Sequence, residues 1–387
     1  MSQLSVAVVG IEPLLMFLAG RDWLNVRTRW LLGVVLATLA IANVVVLVLK
    51  RQPENSLNAA MLRTINLRVR AWWMMCAILV AGILLDYRGT VLLFGGVSFW
   101  ALREFVTMTP TRRGDHRTLF WVFFLFTPLQ YVLVGLGREF YGLYSIMIPV
   151  YASLFIPARI ALSGDYKRFL ERSAKISVGL LICVYALSYA PALLDLELYT
   201  TRPGGATSQE SILNGPLVPA AQSEQAQSEQ AESGQVQNAG RKLRPWSTAA
   251  EGSNAGLLFY FVLIVQLGDV FQYVWGKLLG RRVIAPEINA SRTWEGFLGG
   301  LTSTTIVGAL LWWATPFLMW EAALMAAITA LTGFAGGLTM SAIKRDRGVT
   351  DTGTLVQGHA GVLDRIDSLC FAAPVFFHLT SHFFTPK

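Results

Sequence analysis

Charge is what this chain of 387 residues has little of: Asp, Glu, Lys and Arg make up 14% of it, against about a quarter in an ordinary soluble domain. That scarcity excludes a charge-coated soluble surface over most of the length. Cysteine is scarce too. Cys76, Cys183 and Cys370 stand far apart in apolar runs, which argues against a disulfide framework or a cysteine metal cluster. The N-terminus lacks a basic region followed by a cleavage site, so no removable signal peptide is expected. No basic, aromatic-interleaved soluble stretch exists, and nucleic acid is not an expected partner.

What is present is apolar. Hydrophobic residues form 54% of the chain, and the mean hydropathy is +0.49. The expected fold class is all-α: a polytopic integral-membrane bundle of about 9–11 transmembrane helices. The net charge of +8 is spread over loops. Its ordinary reading is the excess of Lys and Arg in cytoplasmic loops; a second is attraction to anionic headgroups and nucleotide phosphates.

Taken in order, residues 5–19 are apolar but short and interrupted by Pro13, a marginal span or an interfacial helix. Spans are expected at 30–49, as a pair within 71–101 broken at Asp86, and at 119–136, 140–157 and 176–194. The linker 50–70 carries five basic residues against one acid and is assigned to the cytoplasm. The basic loops 109–118 and 163–175 go with it. Arg21, Arg27 and Arg29 would then lie outside, so the orientation of the first segment is left open. Residues 195–254 are rich in Gln, Ser, Glu and Ala and net acidic, with AQSEQ twice in tandem at 221–225 and 226–230. Such a tract buries too little apolar surface to fold and reads as a disordered, non-cytoplasmic loop. Further spans are expected at 255–275, 297–319, 322–341 and 367–384. The chain thus divides into N-terminal transmembrane helices (1–194), the insert (195–254) and a C-terminal transmembrane region (255–387) with cytoplasmic loops at 276–296 and 342–367.

Two polar stretches interrupt this apolar background. Residues 341–367 pack four basic side chains, four Asp, one His and four Gly into 27 positions. Carboxylates can hold a divalent ion, cations can neutralise phosphoryl oxygens, and glycines let backbone approach a ligand. The second stretch, 268–300, begins inside a span, where Gln266, Asp269, Gln272 and Tyr273 should face a bundle interior or a wet cavity. Asp269 needs a partner there, either a metal or a basic side chain such as Lys277. Simpler readings stand beside these. Asp364, Arg365 and Asp367 could merely cap the last helix. Arg281 and Arg282 read as membrane anchors, and His378 and His382 as polar residues at a helix end. The Trp72-Trp73 and Trp312-Trp313 pairs read as interfacial anchors.

The residues of both stretches resemble the signatures of the phosphatidate cytidylyltransferases, the CDP-diacylglycerol synthases. The C-terminal pattern S-x-x-K-R, K-D, G-H-G-G, D-R-x-D is matched by Ser341, Lys344, Arg345, Asp351, Gly358, His359, Gly361, Asp364, Arg365 and Asp367. The upstream block is matched by Asp269, Tyr273, Gly276, Lys277, Gly280, Ala285, Pro286, Thr293, Trp294, Glu295, Gly296, Gly299 and Gly300. Leu102-Arg103-Glu104-Phe105 is similar to an aromatic-and-Glu motif of the family's early hairpin. Together the two blocks cover roughly the last third of the chain.

The resemblance implies an enzyme that makes CDP-diacylglycerol and pyrophosphate from CTP and phosphatidate or a related lipid phosphate. It implies Asp364, Asp351 and Asp269 as ligands of Mg2+, with a second, monovalent cation admitted. Lys344 and Arg345 join these carboxylates as catalytic residues. Lys277, Arg292, Tyr273, Ser341, His359, Arg365, Asp367, Gly358 and Gly361 are expected to bind substrate. The implied location is a bacterial inner membrane, site towards the cytoplasm, with membrane lipids as surroundings and a homodimer admitted. Departures are specific. Arg292 stands for a family Lys, Glu287 for a Lys, and Asn289-Ala290 for Ser-Pro. Thr350, Gln357 and Ala360 stand for Lys, Pro and Gly. Gly337 stands where the family has a metal-binding Asp. Other readings are a paralogue with a different lipid acceptor, such as a CTP-dependent polyprenol kinase, and a catalytically degenerate membrane scaffold.

Overall fold

The computed structural model describes residues 26–51, 73, 76–77, 80–82, 86–109, 112–200, 236–238, 241–246, 254–349 and 361–385. Helices dominate. We number them α1 (Val26–Arg51), α2 (Asp86–Met108), α3 (His116–Gly135), α4 (Arg138–Ala161), α5 (Phe169–Asp195), α6 (Asn254–Leu279), α7 (Trp294–Leu310), α8 (Met319–Asp346) and α9 (Leu363–Phe384). Among the described residues, six helices are long and apolar enough to cross a membrane: α2 to α6 and α8. Large apolar side chains such as Leu92, Phe124, Leu154 and Leu324 are exposed on them. An apolar exterior over a packed interior is the arrangement a bilayer demands. The protein is an all-α polytopic membrane bundle. The expected segment 5–19 lies outside the described residues.

The bundle has two functional ends, and contacts between helix termini define them. At one end, the α2–α3 and α4–α5 turns are locked together. Arg172 bonds Asp115 through Nε at 2.9 Å and 3.0 Å, and Arg112 meets Asp165 at 3.2 Å. Arg347, just past α8, reaches Glu171 at 3.6 Å on the same end. At the far end, Asn254 donates to the Leu194 and Leu196 carbonyls, and Thr200 donates to the Pro316 carbonyl at 2.8 Å. Arg27 donates to the Trp313 carbonyl at 3.3 Å, so α1 starts at the far end. The basic turns 109–118 and 163–175 therefore share an end with the tips of α6, α8 and α9, as the charge pattern requires.

Three sequence-level boundaries shift. The span expected at 297–319 stops at Leu310, and a turn through Trp312–Ala314 leads into α8. The last turns of α8 and the first of α9 take up residues expected in the loop 342–367. Continuing these helices satisfies backbone groups internally where a loop would leave them open. The insert is not featureless either. Its edges form a small antiparallel sheet ordered β1 (Tyr199–Thr200), β3 (Arg241–Pro245), β2 (Val236–Asn238). Trp246, next after β3, is buried, and its backbone N–H donates to the Leu198 carbonyl at 2.7 Å. Burial of one indole gives this edge an anchor that the polar repeat lacks. The tandem repeat itself lies outside the described residues. The loop 276–296 contains a second hairpin, β4 (Val283–Ala285) against β5 (Asn289–Thr293).

The C-terminal helices pack closely through glycine. A side chain on Gly300 of α7 would collide with the backbone nitrogen of Gln272 on α6 at 2.8 Å. One on Gly336 of α8 would meet the Asp367 carbonyl of α9 at 2.9 Å. Small residues at such crossings let backbones approach in a membrane, where van der Waals packing holds helices together.

Candidate active site

Helix length sets the first pair of charges. α8 runs on to Asp346, which carries Lys344 and Arg345 on its final turn, while α9 begins at Leu363 with Asp364 in its first. Cations suit a helix C-terminus and acids an N-terminus. The two ends meet, and Lys344 Nζ donates to Asp364 Oδ1 at 3.0 Å. Their side chains keep 16% and 13% of their exposure, so both still reach solvent.

The second pair joins α6 to the hairpin. β5 aims Arg292 back at α6. There its Nη1 donates to Gln272 Oε1 at 2.6 Å and its Nη2 to Asp269 Oδ1 at 3.4 Å. The guanidinium also lies 5.8 Å from the centre of the Phe334 ring, a favourable stacking position for Arg. Asp269 is thus partnered by Arg292 and not by Lys277. Gly337 explains how Arg292 fits. A Cβ at Gly337 would stand 3.0 Å from Arg292 Nη2 and 3.5 Å from Ser368 Oγ. The position that lacks the family's carboxylate is the one against which the guanidinium lies.

Asp367 connects the pairs. It feels the negative charges of Asp269 and Asp364 and the positive charge of Arg292. Its Oδ1 accepts from the Ser368 backbone N–H at 2.7 Å. Three carboxylates and two cations, drawn from α6, α8, α9 and β5, therefore converge at one end of the bundle.

The hairpin is held by polar contacts. Asn289 donates to Ser341 Oγ at 3.2 Å, and Ser341 donates to the Gly337 carbonyl at 2.7 Å. Arg345 Nε donates to the Ile288 carbonyl at 3.1 Å. Glu295 Oε2 accepts the backbone N–H of Arg281 at 3.0 Å and of Arg282 at 3.2 Å. Those N–H groups stabilise its anion and hold the Glu295 carboxyl below the usual range. Thr293 caps α7 by accepting from the Gly296 N–H, a standard N-cap bond.

Not every expected residue joins the cluster. Lys277 is exposed on the last turn of α6, two helical turns beyond Asp269, or about 12 Å along the axis. Tyr273 stands one turn beyond Asp269. Arg365 meets the bundle through its carbonyl, which accepts from Gln266 at 3.2 Å. Gly361 is buried directly before α9. Asp351, Gly358 and His359 lie outside the described residues.

No three Asp, Glu, His or Cys side chains among the described residues stand close enough to share one ion. Asp269 and Asp364 supply carboxylate oxygen, the donor type that suits Mg2+. The donor chemistry fits a divalent ion, with Asp351 the third donor expected from the sequence.

Two residues here carry more weight than the sequence reading gave them. Glu104 at the end of α2 is buried to 8% exposure. It accepts the Val362 N–H at 3.0 Å, the Leu363 N–H at 2.8 Å and the Trp100 indole at 3.1 Å. It satisfies the first open N–H groups of α9 and so positions Asp364 one residue later. The signal was a Glu ending an otherwise apolar helix. Gln272 was noticed only as a polar residue within a span; it shares Arg292 with Asp269.

Comparison with known proteins gives a family. The model of the cytidylyltransferase family matches residues 66–383. The chain is 32% identical over 321 residues to the uncharacterized protein YnbB of Escherichia coli strain K12, covering 81% of this chain and 86% of that one. It is 35% identical over 132 residues to a phosphatidate cytidylyltransferase of Staphylococcus haemolyticus strain JCSC1435, and 37% identical over 132 residues to one of Staphylococcus aureus strain COL. Each of these matches covers 34% of this chain and half the length of the relative.

Proposed function

The chain belongs to the cytidylyltransferase family, and from that premise we propose that it transfers a cytidylyl group from CTP to phosphatidate. An oxygen of the lipid phosphate attacks the α-phosphorus of CTP. The bond to the leaving pyrophosphate breaks, and CDP-diacylglycerol remains in the bilayer. The observation that carries the reading is the meeting of Lys344–Asp364 with Arg292–Asp269 around Asp367.

Both reactants are anions, so the site must neutralise charge without itself being rigidly neutral. Lys344 and Arg292 are suited to this. Each is held by one partly exposed carboxylate, and each can turn to a phosphoryl oxygen when one arrives. Arg345, Lys277 and Arg365 surround the same end as further phosphate contacts. Ser341, Tyr273, Asp367, Gly358, Gly361 and His359 complete the proposed binding set. Asp364 and Asp269, with Asp351, would hold Mg2+, which when bound aligns the two phosphates and neutralises the leaving group. The substrate tail stays in lipid, so the site belongs at the membrane–water boundary, on the cytoplasmic face of a bacterial inner membrane.

Purified protein with CTP, phosphatidate and Mg2+ tests the proposal. Pyrophosphate release together with a CDP-lipid product is the expected result. CDP release with a phosphorylated lipid would assign a kinase instead. Absence of turnover across a panel of lipid acceptors, with lipid still bound, would leave a scaffold.

A further inference from the structure

Arg292 is held by two partners of different kinds, and both lie on one face of α6, where residues three apart are neighbours. Its Nη1 donates to the neutral amide oxygen of Gln272 at 2.6 Å, while its Nη2 stands 3.4 Å from the charged Asp269. The second separation exceeds the usual range of about 2.7–3.2 Å for such a bond. The tight contact is thus to the neutral partner and the loose one to the anion. Gln272 is buried, so the neutral anchor is packed in place, whereas Asp269 keeps 30% of its side-chain exposure. The Arg292 backbone is fixed as well. β5 pairs Thr293 with Val283, and the Trp294 N–H donates to the Arg282 carbonyl at 2.9 Å. Beside Nη2 lies Gly337, which has no side chain to confine it; a Cβ there would stand 3.0 Å away. A guanidinium presents several N–H donors in a fork. One arm of this fork can change partner while the other stays on Gln272.

That asymmetry has a consequence for a second charge. Asp269 faces the guanidinium, so a divalent ion taking the same carboxylate meets a like charge at close range. A phosphoryl oxygen drawn to Nη2 turns that arm away and leaves the carboxylate open. The guanidinium then exchanges one anion for another, and Asp269 becomes available to a cation. We propose that Arg292, pivoting on Gln272, makes anion and divalent-ion binding mutually dependent. A phosphoryl group releases Asp269 to the ion, and an ion on Asp269 frees Arg292 for the phosphoryl group. The inference rests on the proposed function, in which Asp269 is an ion ligand and Arg292 a phosphate contact, and adds that each ligand binds poorly without the other. Coupling of this kind is reciprocal by thermodynamic necessity.

The full chain, purified in detergent, is titrated with MgCl2 while its Tm is followed, with and without inorganic phosphate. Ionic strength is matched, and free concentrations are corrected for association of the two ions in solution. Phosphate should lower the apparent Kd for Mg2+ about tenfold, within the usual span of about 5–150-fold for coupled sites, and Mg2+ should lower that for phosphate by the same factor. In Arg292→Gln, Mg2+ alone should bind about fivefold more tightly than in the wild type, the low end of that span, and most of the gain from phosphate should vanish. Arg292→Lys keeps a charge but loses the fork. Its coupling should also fall severalfold, and it carries the test if the neutral variant fails to fold. Equal Mg2+ affinity with and without phosphate in the wild type overturns the proposal. So does an undiminished gain from phosphate in either variant, which would reduce Arg292 to a static repulsive charge. No CTP or lipid is present in these titrations, so the two readings fail separately. Coupling in a protein that forms no CDP-lipid would reject the transferase reading alone; a working transferase without coupling would reject this inference alone.

Discussion

The two halves of the bundle keep their ion pairs in different states. In the N-terminal half, Arg172 and Asp115 are 5% and 1% exposed, with both carboxylate oxygens engaged. Arg172 also donates to the Asp165 and Lys167 carbonyls. All three guanidinium nitrogens are engaged, so the pair holds the turns together. In the C-terminal half, Lys344–Asp364 and Arg292–Asp269 are partly open, at 16%/13% and 21%/30% exposed. The second is also long, at 3.4 Å. One half uses charge as a fixed joint. The other holds charge where an incoming anion can exchange partners with it.

The most severe test of this contrast is Asp364→Asn. Turnover of CTP should fall by about a thousandfold, the upper range for removing one electrostatic partner from a transition state. Thermal stability should hardly change, because partly exposed pairs contribute only about 0–1 kcal/mol. Near-normal activity would remove Asp364 from the machinery. Asp115→Ala should show the reverse. Stripping one partner from a buried pair costs about 3–5 kcal/mol, read as a large drop in Tm, while the turnover of the molecules that remain folded stays close to wild type. Equal effects of both variants on both quantities would dissolve the comparison.

A milder effect is expected at Glu104, which bridges the halves. Glu104→Ala removes the acceptor of the Val362 and Leu363 N–H groups and of the Trp100 indole, at about 1–3 kcal/mol for each donor left without a partner. It should lower turnover about tenfold, within the range for a displaced catalytic group, and Glu104→Gln should restore part of the loss. A Km unaffected while kcat falls would mark Asp364 displacement; loss of stability alone would mark a purely structural cap.

The smallest effect concerns pH. Glu295 has its folded-state pKa depressed by the Arg281 and Arg282 N–H groups. Its contribution is therefore present above the unfolded value, about 4.3 for Glu, and is lost as pH falls through the lower folded value. The protection factors of the Arg281 and Arg282 amides, corrected for the pH dependence of intrinsic exchange, should be high at neutral pH and fall only below that range. Glu295→Gln should lower that protection already at pH 7; unchanged protection in that variant would show that the clip does not depend on charge.

Much of this was legible from residue order, and the reasons differ by element. Runs such as 176–194 and 255–275 declared themselves because a helix in lipid must be apolar along its length. Asp269, Asp364 and Lys344 stood out because charge within or beside such runs is costly. The edges of 341–367 misled because polar composition reads as loop. Lys344 and Asp364 are polar yet helical, stabilised by the helix ends they occupy. The contact of Arg292 with Gly337 was also hidden. Each departure was visible alone, but their proximity depends on how β5 folds back over α6. The strands flanking the insert were missed because Trp246 is a single apolar residue in a polar tract.

Glu104 has a consequence for any attempt to exchange parts between relatives. The resemblance to phosphatidate cytidylyltransferases is densest in the last third of the chain, which invites treating that third as a transplantable module. Its final helix, however, begins on a carboxylate supplied by α2, more than 250 positions earlier in the polypeptide. A chimera that inherits α9 from one parent and α2 from another will keep its signature residues yet work only if both parents place an acid at that junction.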